Sequence, residues 1–187
     1  MIVEPHRITI VQGEFAAVAE PNVVIATLLG SCIAVCLHDP VARVGGMNHF
    51  LLGAPEAGQR LGPADMQRYG IHAMELLVNA LMKKGALASR LRAHIYGGAN
   101  IVAGLGNIGT SNARFAQQFM EAEGIAIGHV DVGGRRARKV EFMPFAGKAR
   151  SSFVAGADVP VPPPAAFAPA APLPAPSLAD AGELELF

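Results

Sequence analysis

A chain of 187 residues is long enough for one domain with a sizeable core and too short for two ordinary domains plus linkers. Apolar residues make up 51% and charged residues 16%, a balance that excludes an intrinsically disordered body. Fifteen basic residues offset fifteen acidic ones, so no long-range field draws the molecule to nucleic acid or an anionic membrane, and any charged partner must be met locally.

Residues Met1 to Ile10 carry Glu4 and Pro5 where an export signal needs a basic region followed by an apolar stretch, so export is not expected. Every apolar run is broken by Gly, His, Asp or Pro before membrane-span length, so direct membrane insertion is not expected and a cytoplasmic location is. Arg7 to Val11 alternates polar and apolar residues and Val23 to Leu28 is apolar and β-branched; both read as strands. Cys32 to Leu37 is a continuous apolar run of strand length closed by the turn signal Asp39-Pro40, and Val44 to Leu52 reads as its hairpin partner. Gly45 and Gly46 predict a bulge or a close backbone approach in that partner.

From Ile71 to Lys84, apolar Ile71, Met74, Leu77, Val78, Leu81 and Met82 recur at helical spacing, with Gly85 placed just past the end. Leu91 to Tyr96 is a predicted strand. A second helix is predicted from about Ala113 to Glu123, with Ser111 or Asn112 as N-cap and Gly124 as terminator. Ile125 to Val132 and Val140 to Met143 complete the strands. Beyond Gly156 the composition changes: eight of the fourteen prolines fall between Pro160 and Pro176, among alanines. The organisation expected is a folded domain over 1–155 and a Pro/Ala-rich flexible, disordered C-terminal tail over 156–187. Its last stretch, Glu183 to Phe187, alternates acidic and apolar residues and reads as a frayed end or a short docking peptide.

The only two cysteines, Cys32 and Cys36, lie in one strand-like run that holds them too far apart to bridge, which suits a reducing compartment. Cys32 follows a Gly30-Ser31 turn at the head of the buried strand, where the backbone N–H groups of the turn are free to face a developing oxyanion. Seventeen residues later, His49 lies on the hairpin partner, so thiol and imidazole can meet. An imidazolium beside a thiol lowers its pKa and makes the thiolate nucleophile. The same two residue types on adjacent apolar strands also serve as plain packing. Cys36, deeper on the same strand face, is expected to be inert core. A metal site from Cys32, Cys36 and a histidine lacks the spacing of structural zinc sites, and none is expected. Gly104-Leu105-Gly106-Asn107-Ile108-Gly109 satisfies G-x-G-x-x-G, with Asp131 some distance on, the pattern of a dinucleotide-binding protein. Against it, its first glycine does not stand at the end of the preceding strand. Arg135-Arg136-Ala137-Arg138-Lys139 reads as a solvated turn or as a patch for an acidic partner.

The string TLLGSCIAVCLHDPVARVGGMNHFLL, residues 27 to 52, resembles the signature of the CheD family of chemoreceptor glutamine deamidases. Arg68-Tyr69-Gly70, Tyr96-Gly97-Gly98-Ala99, Ile108-Gly109 with Asn112, and Asp131-Val132-Gly133-Gly134 with Arg138 resemble the family's later motifs in their order, so the likeness runs from about residue 7 to 150. The resemblance implies an α+β layered α/β/β sandwich similar to the catalytic domain of the cytotoxic necrotizing factor toxins. It implies a cysteine-dependent protein-glutamine deamidase that converts glutamines of methyl-accepting chemoreceptors to glutamate in chemotaxis adaptation, without cofactor or metal. Cys32 matches the family's nucleophile and His49 its histidine, with Gly30 and Ser31 as backbone support for the oxyanion. The family's threonine matches Thr27, although an ungapped reading sets it at Ala26. The family tends to place proline soon after the leucines, where this chain has Leu52-Gly53-Ala54-Pro55. Also implied are recruitment to receptor clusters and, as an alternative function, a regulatory partner of a CheC-type phosphatase or of receptors with little catalysis.

Overall fold

In the computed structural model of the protein, residues 4–51, 70–101 and 108–154 are described. Along the chain run strands β1 (His6–Thr9), β2 (Phe15–Val18), β3 (Val23–Leu29), β4 (Ile33–Asp39) and β5 (Val44–Phe50). There follow helix α1 (Gly70–Lys83), a 3₁₀ turn (Ala88–Arg90), β6 (Arg92–Gly97), helix α2 (Ile108–Ala122), β7 (Ala126–Val132), β8 (Arg138–Met143) and β9 (Lys148–Phe153). The strands form a four-stranded sheet, β1-β3-β8-β9, and a five-stranded sheet, β2-β5-β4-β6-β7.

The long apolar run of β4 exists because the strand is covered on both faces. Ile33, Val35 and Leu37 pack under the helices with Ala73, Met74, Leu77, Leu81, Ala116 and Met120. Ala34 and Cys36 face the other way, into a second core shared with Ile25, Leu29, Val140 and Phe142 of the four-stranded sheet. Helices, five-stranded sheet and four-stranded sheet therefore stack as three layers, an α+β architecture. No described helix is long and apolar enough to cross a membrane.

The predicted hairpin is present, with Ile33 opposite Phe50 and Ala34 opposite His49. Its ladder passes Gly45 and Gly46 without a bulge; the glycines answer a close approach instead. A Cβ on Gly46 would lie 2.5 Å from the Ala16 carbonyl oxygen and 2.7 Å from Leu77 Cδ1, and one on Gly45 2.7 Å from the Pro144 oxygen. At the far end the buried Asp39 carboxylate accepts from the N–H groups of Val41, Ala42 and Leu87 at 2.9, 3.0 and 2.9 Å and pairs with Arg90 at 2.8 Å. Burial opposes its ionisation, yet Arg90 and these N–H groups hold its carboxyl well below the usual carboxylate range. The turn that opens the hairpin is thus tied to the segment after α1.

Two expectations are corrected, and two strands are added. Helix α2 starts at Ile108, so Ser111 and Asn112 are inside it rather than at its cap. The reason is tertiary: Gly109 lies so close to the Gly98 carbonyl that any Cβ would overlap it, and the buried Asn112 reaches across to Ser31. In α1, Ile71 and Met82 face solvent while Ala73 joins the buried stripe. Strands β2 and β9, which carry no alternation strong enough to announce them, complete the edges of the sheets. The segment 156–187 lies outside the described residues, as do Leu52-Gly53-Ala54-Pro55 and Arg68-Tyr69.

Candidate active site

The turn Gly30-Ser31-Cys32 is where the chain leaves the four-stranded sheet and enters the five-stranded one. Cys32 shares a strand face with Ala34 and Cys36, the face that looks toward the other sheet. His49, opposite Ala34, is on that same face and only 5% exposed. Thr27 comes from β3 of the opposing sheet and is 3% exposed. The two sheets therefore bring Thr27 against His49, with Cys32 two residues along the strand from Ala34, the residue opposite His49.

Their hydrogen bonds settle the state of the ring. The Thr27 hydroxyl has one proton, and it donates to the Ile10 carbonyl at 2.8 Å. Its 2.8 Å contact with His49 Nδ1 must then be an N–H donated by the ring to Thr27 Oγ1. This places a proton on Nδ1, so that the neutral ring carries its lone pair on Nε2, which is buried without a hydrogen-bond partner among the described residues. Burial pushes the His49 pKa down to about 4, with Glu14 and the Ile10 backbone opposing it more weakly. Thr27, not Ala26, supplies the side chain that meets the ring.

Cys32 is partly exposed, and its thiol donates to Gln12 Oε1 at 3.6 Å rather than to His49. Burial pushes this thiol up to about 11, against a weaker pull from its own backbone N–H. Burial thus favours the uncharged form of both groups, against the thiolate–imidazolium pair expected from the sequence. Cys36 is fully buried, its thiol raised further by burial alone, and it sits in the core as expected.

The loop bearing Cys32 is held by its neighbours. Gly98 N–H donates to the Cys32 carbonyl at 2.8 Å, Ala99 N–H to the Gly30 carbonyl at 2.9 Å, and Asn112 Nδ2 to the Ser31 carbonyl at 3.1 Å. Gly97 has φ +109° and lies so close to the Cys32 carbonyl oxygen that a Cβ would overlap it. Arg138 bonds the Gly97 carbonyl and Asp131, both at 3.2 Å, while Ser151 donates to Asp131 at 2.8 Å. The carbonyls of this turn are committed, while the Ser31 and Cys32 N–H groups find no backbone acceptor among the described residues.

These contacts also bear on the dinucleotide reading. Gly104 to Asn107 lie outside the described residues, but Gly109 packs on protein backbone and the Asp131 carboxylate is engaged by Arg138 and Ser151. The acidic residue that would hold a ribose is committed to supporting the loop under Cys32. Of the basic stretch, Arg138 is buried in this support, and the Arg136 guanidinium stacks 4.7 Å from the Phe153 ring centre.

Sequence reasoning missed Gln12, Glu14 and the Ile10 carbonyl. They occupy a tight turn in which Glu14 N–H donates to Val11 O at 3.0 Å around Gly13, whose φ is +90°. That turn is clipped to β5 by Gly13 N–H to His49 O at 2.8 Å and His49 N–H to Glu14 O at 3.0 Å. Its one signal in the sequence was Gly13 between two strand-like runs.

The family model described as CheD chemotactic sensory transduction matches residues 52–152. A Rhizobium rhizogenes protein described as "Probable chemoreceptor glutamine deamidase CheD" is 49% identical over 153 residues, 82% of this chain and 83% of its own. A Caulobacter protein of the same description is 48% identical over 184 residues, 97% of this chain and 93% of its own, a span that takes in Thr27, Cys32 and His49. Among solved structures, the hypothetical protein YfiH of Bacillus licheniformis aligns with a TM-score of 0.42 at 14% identity over 69% of this chain and 59% of that one, a likeness too slight to bear on the site. With a match over more than half its length and relatives at nearly half identity across most of it, the chain belongs to the CheD family.

Proposed function

We propose that the protein is a cysteine-dependent deamidase that converts glutamine side chains of chemoreceptors to glutamate, with Cys32 as nucleophile and His49 as general base and acid. The observation that carries this reading is the His49 ring itself: Thr27 and Ile10 hold it by Nδ1, which leaves its basic Nε2 without a hydrogen-bond partner among the described residues, on the strand paired with the one that Cys32 leads into. The names of the relatives supply the substrate class.

As the Cys32 sulfur bonds to the side-chain amide carbon, His49 Nε2 takes the thiol proton and the carbonyl oxygen becomes an oxyanion. Ser31 and Cys32 N–H groups, beside Gly30, receive that oxyanion. The imidazolium keeps its Nδ1–H bond to Thr27, whose hydroxyl passes the polarisation to the Ile10 carbonyl. His49 then returns the proton to the departing nitrogen, ammonia leaves, and a thioester remains. Water, deprotonated by the same Nε2, hydrolyses it to glutamate, and the proton goes back to the sulfur. No step calls for a metal or an organic cofactor.

On this reading residues 1–155 are the catalytic domain and 156–187 a Pro/Ala-rich tail, and the body shares the layering of the cytotoxic necrotizing factor domain, which superposition on that domain would test. The protein works in the cytoplasm at receptor clusters, in adaptation. The test is incubation with a chemoreceptor's cytoplasmic domain and mass spectrometry of glutamine-to-glutamate conversion, which Cys32→Ala must abolish. Binding to receptors or to a CheC-type phosphatase that survives Cys32→Ala, with no conversion by the wild type, would favour a regulatory partner instead.

A further inference from the structure

Two groups that the chemistry needs together make no hydrogen bond to each other among the described residues. The Cys32 thiol is bonded to the Gln12 carboxamide, and His49 Nε2 is buried without a hydrogen-bond partner among those residues. Gln12 is solvent-exposed and belongs to the Val11–Glu14 turn, whose backbone is clipped on both sides to His49 itself. The turn is further tightened by Val11 N–H donating to Glu14 Oε2 at 2.9 Å. A primary carboxamide is thus set against the nucleophile by a turn anchored to the strand that carries the base.

That group has the same chemistry as the substrate's reacting group. Resting on the deamidase reading, we propose that Gln12 is a placeholder: its carboxamide occupies the position at Cys32 that the substrate glutamine takes, and an entering glutamine displaces it and frees the thiol to turn to His49. The displacement is cheap, because only one weak S–H···O bond is lost and the side chain swings into solvent. Gln12 is a positioning residue that restrains Cys32 and competes with substrate. The arrangement also protects the thiol from unspecific electrophiles while the site is empty.

The experiment uses the full chain and two readouts. In the first, Cys32 alkylation by iodoacetamide is followed by peptide mass spectrometry without substrate. Gln12→Ala, and the shape-preserving Gln12→Met, are expected to alkylate faster by roughly 2- to 10-fold, the factor that corresponds to one neutral hydrogen bond. In the second, deamidation of a receptor cytoplasmic domain should show KM lowered by a similar factor with kcat kept. Unchanged or slower alkylation in both variants overturns the placeholder, as does a fall in kcat at constant KM, which would make Gln12 a donor to the oxyanion. Faster alkylation in Gln12→Ala but not in Gln12→Met would reduce Gln12 to bulk and overturn it too. If wild-type protein converts no glutamine, the deamidase reading fails, while the alkylation readout still decides whether Gln12 restrains the thiol.

Discussion

Replacing Thr27 by valine keeps the shape of a side chain that is 3% exposed and removes only its hydroxyl. Two buried polar groups then lose their partner: the Ile10 carbonyl, which accepted at 2.8 Å, and His49 Nδ1–H, which donated at 2.8 Å. Each orphaned group costs about 1–3 kcal/mol, and the new methyl group offsets part, so a net loss of about 2 kcal/mol is expected. For a domain of this size that lowers Tm by about 4–8 °C, measured by thermal unfolding. Activity should suffer separately. A hydrogen bond to the imidazolium is worth about 1–2 kcal/mol more than one to the neutral ring, so kcat/KM for receptor deamidation should fall by roughly 5- to 30-fold. The fall is larger if the freed ring adopts the Nε2–H tautomer, which cannot accept the thiol proton. Thr27→Ser retains the hydroxyl and should keep most of both. Wild-type kcat/KM in Thr27→Val would refute the assignment of Thr27 as the group that orients His49.

Three further outcomes follow from the site. Because His49 is held down at about 4 and Cys32 up at about 11, substrate-free alkylation of Cys32 should keep rising past pH 9, and kcat/KM should stay level from pH 8 to about 5 and fall toward 4; an alkylation plateau below pH 7 would mean a resting ion pair. The neutral form of His49 is favoured by folding, so the stability it contributes is present above pH 6.5 and is lost as pH falls to about 4, some 3 kcal/mol in all, readable by denaturation at pH 7 and pH 4.5. Gly97→Ala, which forces a Cβ onto the Cys32 carbonyl at φ +109°, should cut activity by more than about 10-fold and lower Tm, whereas Gly133→Ala, at φ +84° with nothing within 4 Å, should cost only the backbone strain of about 1–2 kcal/mol. Equal effects of the two would show that Gly97 matters for its backbone angle alone.

The parts of this site that were legible in the sequence are those that burial on two faces writes into it. The run from Ile33 to Leu37 is apolar at every position because both faces are covered, and a turn at Asp39-Pro40 dictates the hairpin that sets His49 opposite Ala34. The choice between Ala26 and Thr27 was not legible, since it depends on which parity of β3 faces the other sheet, and a one-residue shift exchanges the two faces. Helix α2 begins before its apparent caps because Gly109 and Asn112 serve contacts with Gly98 and Ser31, which no local pattern records. The direction of the two pKa shifts was missed for a similar reason: spacing sets Cys32 and His49 on paired strands, but the desolvation that favours both uncharged forms is a property of the assembled layers. Gln12 was invisible because only the fold carries its turn to the thiol.

The central claim is that Cys32 performs glutamine deamidation with His49 as its base. Wild-type protein, Cys32→Ala and His49→Ala incubated with a chemoreceptor cytoplasmic domain, with glutamine-to-glutamate conversion read by peptide mass spectrometry, test it directly. Conversion by the wild type, with neither variant rising above the protein-free control, is the predicted result. Conversion by Cys32→Ala at the wild-type rate would contradict it.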